Sequence, residues 1–262
     1  MHVAVTGASS GIGEAIARAF GQQGCSLTLV ARRTADLERL AGEFPGRCQC
    51  FTRDLADSAH CTDWLEPAQA SFGPIDVLVN NAGMENTGPT LHTDPAVGVK
   101  LLHLNLHTPI LLTRALLPDM VARKSGTLVQ VASVAALVPA PMQAWYGASK
   151  AGLAGFSEAL RAELQGSGVH VLTVYPGPVK TAMADAAYER FGGRQGAVGM
   201  LPEGTPGELA DLVLDAVERR RPRLIYPRFY TVTRWAPWFA RWTTDAQMGG
   251  TWEGLKTKAA RA

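Results

Sequence analysis

The stretch of sequence that decides the fold reads VAVTGASSGIGEAIARAF, residues 3–20. It starts as an apolar run of strand length, passes through three glycines and continues as helix-forming residues. Glycines at a strand-to-helix turn allow a tight bend, let backbone N–H groups approach a pyrophosphate, and let the helix pack closely. The stretch therefore predicts a dinucleotide-binding unit, with a glycine-rich turn without a ligand as the alternative. The predicted cofactor contacts in this turn are Gly7, Ser9, Ser10, Gly11, Ile12 and Gly13.

Further apolar runs of strand length follow, with helical segments between most of them. They cover residues 27–31, 48–52, 77–80, 127–132, 169–175 and 224–226. This alternation predicts an α/β fold: a three-layer, Rossmann-type, doubly wound parallel sheet flanked by helices. No repeat or linker divides the first 180 residues, so we expect a single domain. We place this dinucleotide-binding domain at 1–227 and an aromatic and basic tail at 228–262.

Composition narrows the class of protein. The chain has 262 residues, 47% of them hydrophobic and 18% charged, which suits a globular protein with a large core. A formal net charge of +2 gives no indication of a nucleic-acid surface. Because the sequence enters a strand at once, we expect no signal peptide and a cytoplasmic location. The four cysteines are too few for a disulfide framework, and neither they nor the six histidines have metal-site spacing, so we predict no metal.

The second predicted strand ends in Arg32 and Arg33. NAD-binding proteins carry an acidic residue there, which binds the ribose 2′-hydroxyl. Guanidinium groups instead bind phosphate in a bidentate manner, so this pair predicts the 2′-phosphate of NADP. The alternative is two solvated arginines at the start of a helix. Asp54 and Leu55 follow the third strand, where we expect the edge of the adenine.

Two later strand ends supply further predicted cofactor contacts. The fourth strand runs into Asn81, Ala82 and Gly83. Small residues let the backbone lie against a cofactor, and an Asn amide either ties neighbouring loops together or contacts ribose. The sixth strand runs into a rigid turn, where we place the nicotinamide end. The predicted contacts in that turn are Pro176, Gly177, Val179 and Thr181.

Four polar residues are candidates for chemistry. Tyr146 and Lys150 are four residues apart and would share one face of a helix. A neighbouring cation favours the phenolate, and lowering a Tyr pKa from about 10 to about 7 takes roughly 4 kcal/mol. Ser133 ends the fifth strand without a G-x-S-x-G motif, which favours a hydroxyl that orients a carbonyl over a nucleophile. Asn105 lies within a long predicted helix over 95–120, where Asn faces solvent, packs through hydrogen bonds or has a functional role.

Taken together, these motifs resemble the short-chain dehydrogenase/reductase family across residues 3–181. The matching elements are Thr6-Gly7-x3-Gly11-x-Gly13, Asn80-Asn81-Ala82-Gly83, Asn105, Ser133, Tyr146-x3-Lys150 and Pro176-Gly177-x-Val179-x-Thr181. The glycine spacing is similar to that of the family's simple oxidoreductases. The resemblance implies hydride transfer between NADP(H) and a carbonyl held by Ser133 and Tyr146, with Tyr146 as proton donor. It also implies that Lys150 lowers the Tyr146 pKa and holds the nicotinamide ribose, and that Asn105 holds a water linking Lys150 to solvent. Homodimers or homotetramers are usual in the family.

The predicted function is thus an NADP(H)-dependent oxidoreductase that interconverts a ketone or aldehyde and an alcohol. The alternative is a cofactor-binding sensor or scaffold without turnover. Residues 182–206 are expected to form an irregular, flexible lid over the substrate. Its predicted neighbours, which ordinary packing would explain equally well, are Met84, Glu85, Leu137, Met142 and Trp145.

The tail contains four of the six tryptophans, and its basic residues outnumber its acidic ones. Trp235, Trp238, Phe239 and Trp242 would share one helical face, with Pro237 tolerated only near the first turn. Such a face either packs on the domain, on a partner subunit or over the active site, or contacts a membrane peripherally. This much apolar surface predicts a hydrophobic substrate.

Overall fold

A seven-stranded parallel sheet forms the centre of the computed structural model, which describes residues 1–190, 193, 202–238 and 240–242. Its strands are β1 His2–Thr6, β2 Ser26–Ala31, β3 Cys48–Thr52, β4 Val77–Asn80, β5 Gly126–Val131, β6 Val169–Pro176 and β7 Arg223–Tyr226. Their spatial order is β3-β2-β1-β4-β5-β6-β7. The order therefore reverses between β1 and β4, which is where doubly wound sheets bind ligands at the carboxyl ends of their strands.

Helices cover both faces of this sheet. They are α1 Gly11–Gln22, α2 Thr34–Ala41, α3 Leu65–Phe72, α4 Pro95–Leu102, α5 Thr108–Ala122, α6 Ala144–Glu163, α7 Ala182–Arg190, α8 Pro206–Glu218 and α9 Val232–Trp235. Short 3₁₀ turns lie at Thr90–His92, Val134–Ala136 and Arg228–Thr231.

Alternate residues of each strand supply two separate cores, because successive side chains point to opposite faces of a sheet. Val3 packs with residues of α1 and α8 on one face, and Ala4 packs with Trp64 and residues of α5 on the other. The predicted three-layer, doubly wound, single-domain architecture is therefore confirmed.

The predicted continuous helix over 95–120 is interrupted. Residues His103–His107 form a π-helical turn between α4 and α5, in which the Thr108 N–H donates to the His103 carbonyl. The side chain of Asn105 lies inside this turn and is fully buried. A π-turn inserts one residue into the helical repeat and re-aims the side chains around it, so the break changes what Asn105 faces.

The expectation of an irregular segment from 182 onwards was wrong for its first part. Residues Ala182–Arg190 form α7, because this Ala-rich stretch has high helix propensity and the Thr181 hydroxyl accepts the Ala184 N–H at 3.2 Å. Gly193, with φ at 95°, donates its N–H to the Tyr188 carbonyl and so marks the end of the helix. Of the remaining predicted lid residues, 191–192 and 194–201 lie outside the described residues. Gly204 forms a parallel bridge with Val179, and Pro206 begins α8.

The aromatic tail is helical in two pieces. Helix α9 ends at Trp235 and the next helical residues begin at Pro237, so the expectation that Trp235 and Trp238 share the face of one helix was wrong. Pro237 lies at the start of a helical piece, the position where a proline is tolerated. Phe239 and residues 243–262 lie outside the described residues. Within the described chain, no helix has the length and apolar character needed to cross a bilayer.

Candidate active site

The glycine-rich turn between β1 and α1 has no room for side chains at Gly7 and Gly13. Gly7 and Gly11 have φ angles of 68° and 61°, which favour glycine. A Cβ on Gly7 would lie 2.8 Å from the Ala82 Cα, and one on Gly13 would collide with the Gly7 carbonyl oxygen. The turn is thus a bare backbone cradle at the N-terminus of a helix, a shape and polarity that fit a dinucleotide pyrophosphate.

Asn81 connects this turn to the loop that follows β4. Its amide donates to the Thr6 carbonyl at 3.0 Å and to the Gly7 carbonyl at 3.3 Å. The Thr6 hydroxyl in turn accepts the backbone N–H groups of Asn81 and Ala82, both at 3.0 Å. Of the two roles predicted for this asparagine, the structure places it in the one that ties neighbouring loops together.

The two predicted phosphate-binding arginines lie at the end of β2, and both are exposed. The Arg33 guanidinium donates to the Ser9 carbonyl at 3.2 Å and pairs with Asp36 at 2.5 Å. The Arg33 side chain therefore contacts the glycine-rich turn, although Arg33 and Ser9 are 24 positions apart in the sequence.

Asp54 and Leu55 point in different directions. The Asp54 carboxylate accepts the Ala56 N–H at 3.1 Å and lies at the surface. Leu55 is buried in the core, and its carbonyl accepts the Thr108 hydroxyl at 2.6 Å. Only Asp54 and the backbone are thus available at the expected adenine edge.

Ser133 is fixed between two strand ends. It caps the short turn Val134–Ala136 by accepting the Ala135 N–H at 3.1 Å, and its hydroxyl contacts the Pro176 carbonyl at 3.4 Å. Both partners are backbone groups, so the hydroxyl is held at the carboxyl edge of the sheet with little freedom.

Helix α6 carries both Tyr146 and Lys150, as the spacing predicted. Burial raises the pKa of the Tyr146 phenol, a hydrogen bond from the Ser133 side chain lowers it, and the Glu85 carboxylate raises it. The pKa shift is therefore opposite to the one expected from the Tyr–Lys pair alone. Removal from water penalises the phenolate, and this effect prevails in the folded protein.

Lys150 is a buried lysine held by the backbone. Its Nζ donates to the Val131 carbonyl at 2.8 Å. Burial lowers its pKa to about 8, because desolvation disfavours the ammonium form. The ammonium group thus lies beside the end of β5, directed by a carbonyl that no sequence motif reveals.

Asn105 closes the arrangement from the π-turn. Its side-chain oxygen accepts the Met84 N–H at 2.9 Å, and its amide donates to the Met84 carbonyl at 2.8 Å and to Ser149 Oγ at 3.1 Å. A Cβ on Gly83 would lie 3.1 Å from the Asn105 oxygen and 3.5 Å from Lys150 Nζ. Two elements and a strand end therefore bring together the residues that we call the catalytic corner: Asn105, Ser133, Tyr146 and Lys150.

The loop after β6 borders the glycine-rich turn. Gly177 donates its N–H to the Tyr226 carbonyl at 2.7 Å, and a Cβ on it would lie 2.7 Å from the Tyr230 ring. Val179 is buried and forms a parallel bridge with Gly204. The Thr181 side chain lies 3.2 Å from the Cβ position of Gly11. Of the predicted nicotinamide-end residues, Thr181 thus reaches the glycine-rich turn.

An ion pair that sequence reasoning missed joins α7 to the loop after β4. The nearly buried Glu85 carboxylate lies 2.6 Å from the Arg190 guanidinium and accepts the Thr87 hydroxyl at 2.6 Å. The two ionic partners are 105 residues apart, so no local pattern could have linked them. Because the Glu85 carboxylate also raises the Tyr146 pKa, this pair lies close to the catalytic corner.

The other predicted lid neighbours mostly have structural partners. The Trp145 ring fills the space beside Gly98 of α4, where a Cβ would lie 2.6 Å away. Leu137 joins a small buried cluster, and the Met142 carbonyl accepts the Gly88 N–H at 2.7 Å. Ordinary packing accounts for these three. No group of His, Cys, Asp or Glu in the described part of the chain has the arrangement of a metal site.

The model of the short chain dehydrogenase family matches residues 1–190. A short chain dehydrogenase of Pseudocercospora fijiensis is 38% identical over 184 residues, which is 68% of this chain. The chain spans 60% of the length of that relative.

Solved structures with similar folds cover more of the chain. A short-chain dehydrogenase from Streptomyces avermitilis has a TM-score of 0.80 and 29% identity, with 97% of both chains covered. One from Sphingobium yanoikuyae in complex with NADPH has a TM-score of 0.77 and 29% identity, with 98% of this chain and 95% of the other covered. A 3-ketoacyl-(acyl-carrier-protein) reductase from Brucella melitensis complexed with NADH has a TM-score of 0.77 and 26% identity, covering 86% and 96%.

Proposed function

The chain belongs to the short-chain dehydrogenase family of oxidoreductases, and we propose that it uses NADP(H) to interconvert a ketone or aldehyde and the corresponding alcohol. The observation that carries this proposal is the catalytic corner itself. A buried lysine, a half-buried tyrosine and a backbone-held serine hydroxyl lie at the carboxyl edge of the sheet, beside a backbone cradle that fits a pyrophosphate.

Binding of the cofactor follows from the groups around the cradle. When bound, NADP(H) supplies the hydride chemistry that protein side chains lack. The N–H groups of the glycine-rich turn would hold the pyrophosphate, and Lys150 would hold the ribose next to the nicotinamide. The similar proteins bind NADPH in one case and NADH in another, so they do not decide between the two. The choice of NADP rests on Arg32 and Arg33.

The proton is moved by Tyr146. Hydrogen bonds from the Ser133 and Tyr146 hydroxyls orient the substrate carbonyl, and Tyr146 gives its proton to the oxygen as negative charge develops there. A raised pKa keeps the phenol protonated at neutral pH, which suits an acid in the direction of reduction. In the reverse direction, the phenolate takes the proton of the alcohol.

Lys150 and Asn105 support this transfer. With a pKa of about 8, the Lys150 side chain is mostly protonated at neutral pH, so its charge favours the phenolate once the proton has left Tyr146. Asn105 holds the loop after β4 against Ser149, the neighbour of Lys150. We propose that it also orders the water through which Tyr146 and Lys150 recover protons from solvent.

The substrate in this proposal is bulky and apolar, such as a steroid-like, lipid-derived or polyketide-like carbonyl. The Tyr230 ring lies against Gly177 at the expected nicotinamide end, and the aromatic tail continues from it. An apolar wall beside the reacting carbon favours such a substrate over a small charged one.

The test is to follow oxidation of NADPH, and separately of NADH, across ketosteroids, long-chain ketones, aldehydes and quinones. Turnover of at least one apolar carbonyl class, faster with NADPH, is expected. Tight NADPH binding with no turnover of any class would favour the sensor or scaffold alternative.

We also propose that the protein acts in the cytoplasm as a homodimer or homotetramer. All four cysteines are free, as in proteins of reducing compartments. Analytical ultracentrifugation of the full chain would measure the assembly, and a monomer at micromolar concentration would contradict this part of the proposal.

A further inference from the structure

The segment after β7 turns its large apolar side chains outwards. Its exposed members, which we call the aromatic face, are Phe229, Val232, Trp235, Trp238 and Trp242. The three tryptophans are 80%, 72% and 63% exposed. Among the described residues of the same segment, Tyr230, Thr233 and Ala240 are buried. Apart from Tyr230, the described buried residues here have small side chains, whereas the three tryptophans remain in contact with solvent.

Single exposed apolar residues are normal on protein surfaces, but a concentration of large ones marks an interaction site. Burying an aromatic side chain away from water stabilises a folded protein. Folding of this domain gains little of that from the aromatic face, so the gain is available for binding.

The charge of this segment indicates what it binds. Residues 228–242 contain three arginines and no acidic residue. Arg228 and Arg241 are exposed, and neither has an acidic partner among the residues that the structure describes. Arg234 is half-buried and lies 4.0 Å from Glu158. The aromatic face is thus rimmed by positive charge.

Tryptophan and arginine together match the chemistry of a membrane surface. Indole rings prefer the boundary between acyl chains and headgroups, and guanidinium groups bind lipid phosphates. We propose that the aromatic face docks on the surface of an anionic phospholipid bilayer. A second copy of the chain fits less well, because a two-fold contact through this face would bring its arginines against their own copies.

Docking would bring the candidate active site to the bilayer. Tyr230, within the same segment, lies against Gly177 and donates its hydroxyl to the Pro202 carbonyl at 3.2 Å. The aromatic face therefore continues directly from the loop at the expected nicotinamide end. The consequence that the bilayer delivers an apolar carbonyl to this site rests on the proposed function, whereas docking itself does not.

The experiment is co-sedimentation of the full chain with vesicles of phosphatidylcholine alone or with phosphatidylserine added. We expect binding to the anionic vesicles, weaker binding to neutral ones, and release at high salt because charge attraction is screened. Equal binding to both compositions would overturn the anionic assignment.

Two sets of variants separate the parts of the surface. Replacement of Trp235, Trp238 and Trp242 together by Ser should weaken vesicle binding at least about tenfold. Arg228→Glu with Arg241→Glu should weaken it roughly fivefold or more per arginine. The matched controls are Leu91→Ser with Val99→Ser, which changes exposed apolar residues elsewhere, and Lys124→Glu, which changes an exposed cation at the opposite edge of the sheet. Thermal melts check that each variant folds.

Three results would overturn the proposal: undiminished binding of the tryptophan variant, equal losses in the controls, or a change of oligomeric mass in that variant without vesicles. The last result would make the face a protein contact. Oxidation of NADPH with a water-soluble ketone, measured without vesicles, tests the proposed function separately, so either idea can fail while the other holds.

Discussion

The catalytic corner and the aromatic face depart in opposite directions from the usual distribution of residues. The corner buries an ammonium group and an amide, whereas the face leaves three indoles in solvent. Burial disfavours the charged form of Lys150, which is why its pKa is lowered. Exposure of the indoles means that the protein gains no hydrophobic stabilisation from them. Residues that break local rules in this way tend to lie at functional sites.

The two regions differ in how they are held. Every polar group of the corner with a resolved partner is tied to backbone or to a neighbouring hydroxyl, as with Lys150 on the Val131 carbonyl and Asn105 on Met84. The aromatic face lies on short helical pieces that are separated at Ala236. Fixed groups suit chemistry, which requires preorganised geometry, and an exposed apolar surface suits association.

The largest expected effect tests the corner. Tyr146→Phe removes the proton donor while keeping the ring, so carbonyl reduction should fall by about 10²- to 10⁴-fold. NADPH binding, measured by fluorescence titration, should stay within about twofold, since binding does not need the phenolic proton. Tyr175→Phe is the control, because that hydroxyl bonds Glu158 away from the corner. A Tyr146→Phe enzyme that keeps more than a few per cent of turnover would remove Tyr146 from the mechanism.

A pair of tryptophans tests the claim that the aromatic face contributes little to folding. Trp64 is fully buried and donates to the Cys61 carbonyl at 2.8 Å, so Trp64→Ala should lower the free energy of unfolding by about 3–5 kcal/mol. Trp235→Ala should change it by no more than about 0.5 kcal/mol. Urea denaturation measures both. A large loss from Trp235→Ala would mean that the face is part of the folded core's support.

Variants of Arg32 and Arg33 test whether these exposed arginines bind the 2′-phosphate of NADP. Arg32→Ala with Arg33→Ala should raise the KM for NADPH about 10- to 100-fold, because charge-assisted bonds to a 2′-phosphate are lost. The KM for NADH should change much less. Arg114→Ala, an exposed arginine on α5, is the control. Equal effects on both cofactors would exclude 2′-phosphate recognition by this pair.

The features that could be predicted from the sequence are those set by local rules. The positions of the strands are predicted by apolar runs. The glycine-rich turn is predicted by its glycines, and at Gly7 and Gly13 a side chain would collide with neighbouring atoms. The location of the corner residues at a helix and a strand end was predictable for the same reason, since each follows from the element that carries it.

The features that escaped prediction depend on contacts between distant residues. The break at Asn105 accompanies its bonds to Met84, and the Glu85–Arg190 pair joins segments that no periodicity connects. The predicted direction of the Tyr146 pKa shift was wrong, because the Tyr–Lys spacing reveals the charge of the neighbouring residue but not the burial of the phenol. Helix α7 was missed because the glycines that follow it suggested irregular structure throughout.

The smallest expected effect asks whether the corner is tuned by a residue outside it. Burial is the main cause of the raised Tyr146 pKa, and Glu85 adds to it through its negative charge. Glu85→Gln removes that charge, so the phenol should lose its proton at lower pH. Reduction needs the protonated phenol, so its kcat/KM should decline at lower pH than in the wild type. Alcohol oxidation needs the phenolate and should begin to rise at lower pH.

The shift should be less than about one pH unit, because the Arg190 guanidinium already offsets part of the Glu85 charge. Asp63→Asn removes an exposed carboxylate elsewhere and should leave both profiles unchanged. If Glu85→Gln moved neither profile, or moved both to higher pH, the charge of Glu85 would not reach the phenol. Burial and the Ser133 hydrogen bond would then account for the Tyr146 pKa without a contribution from Glu85.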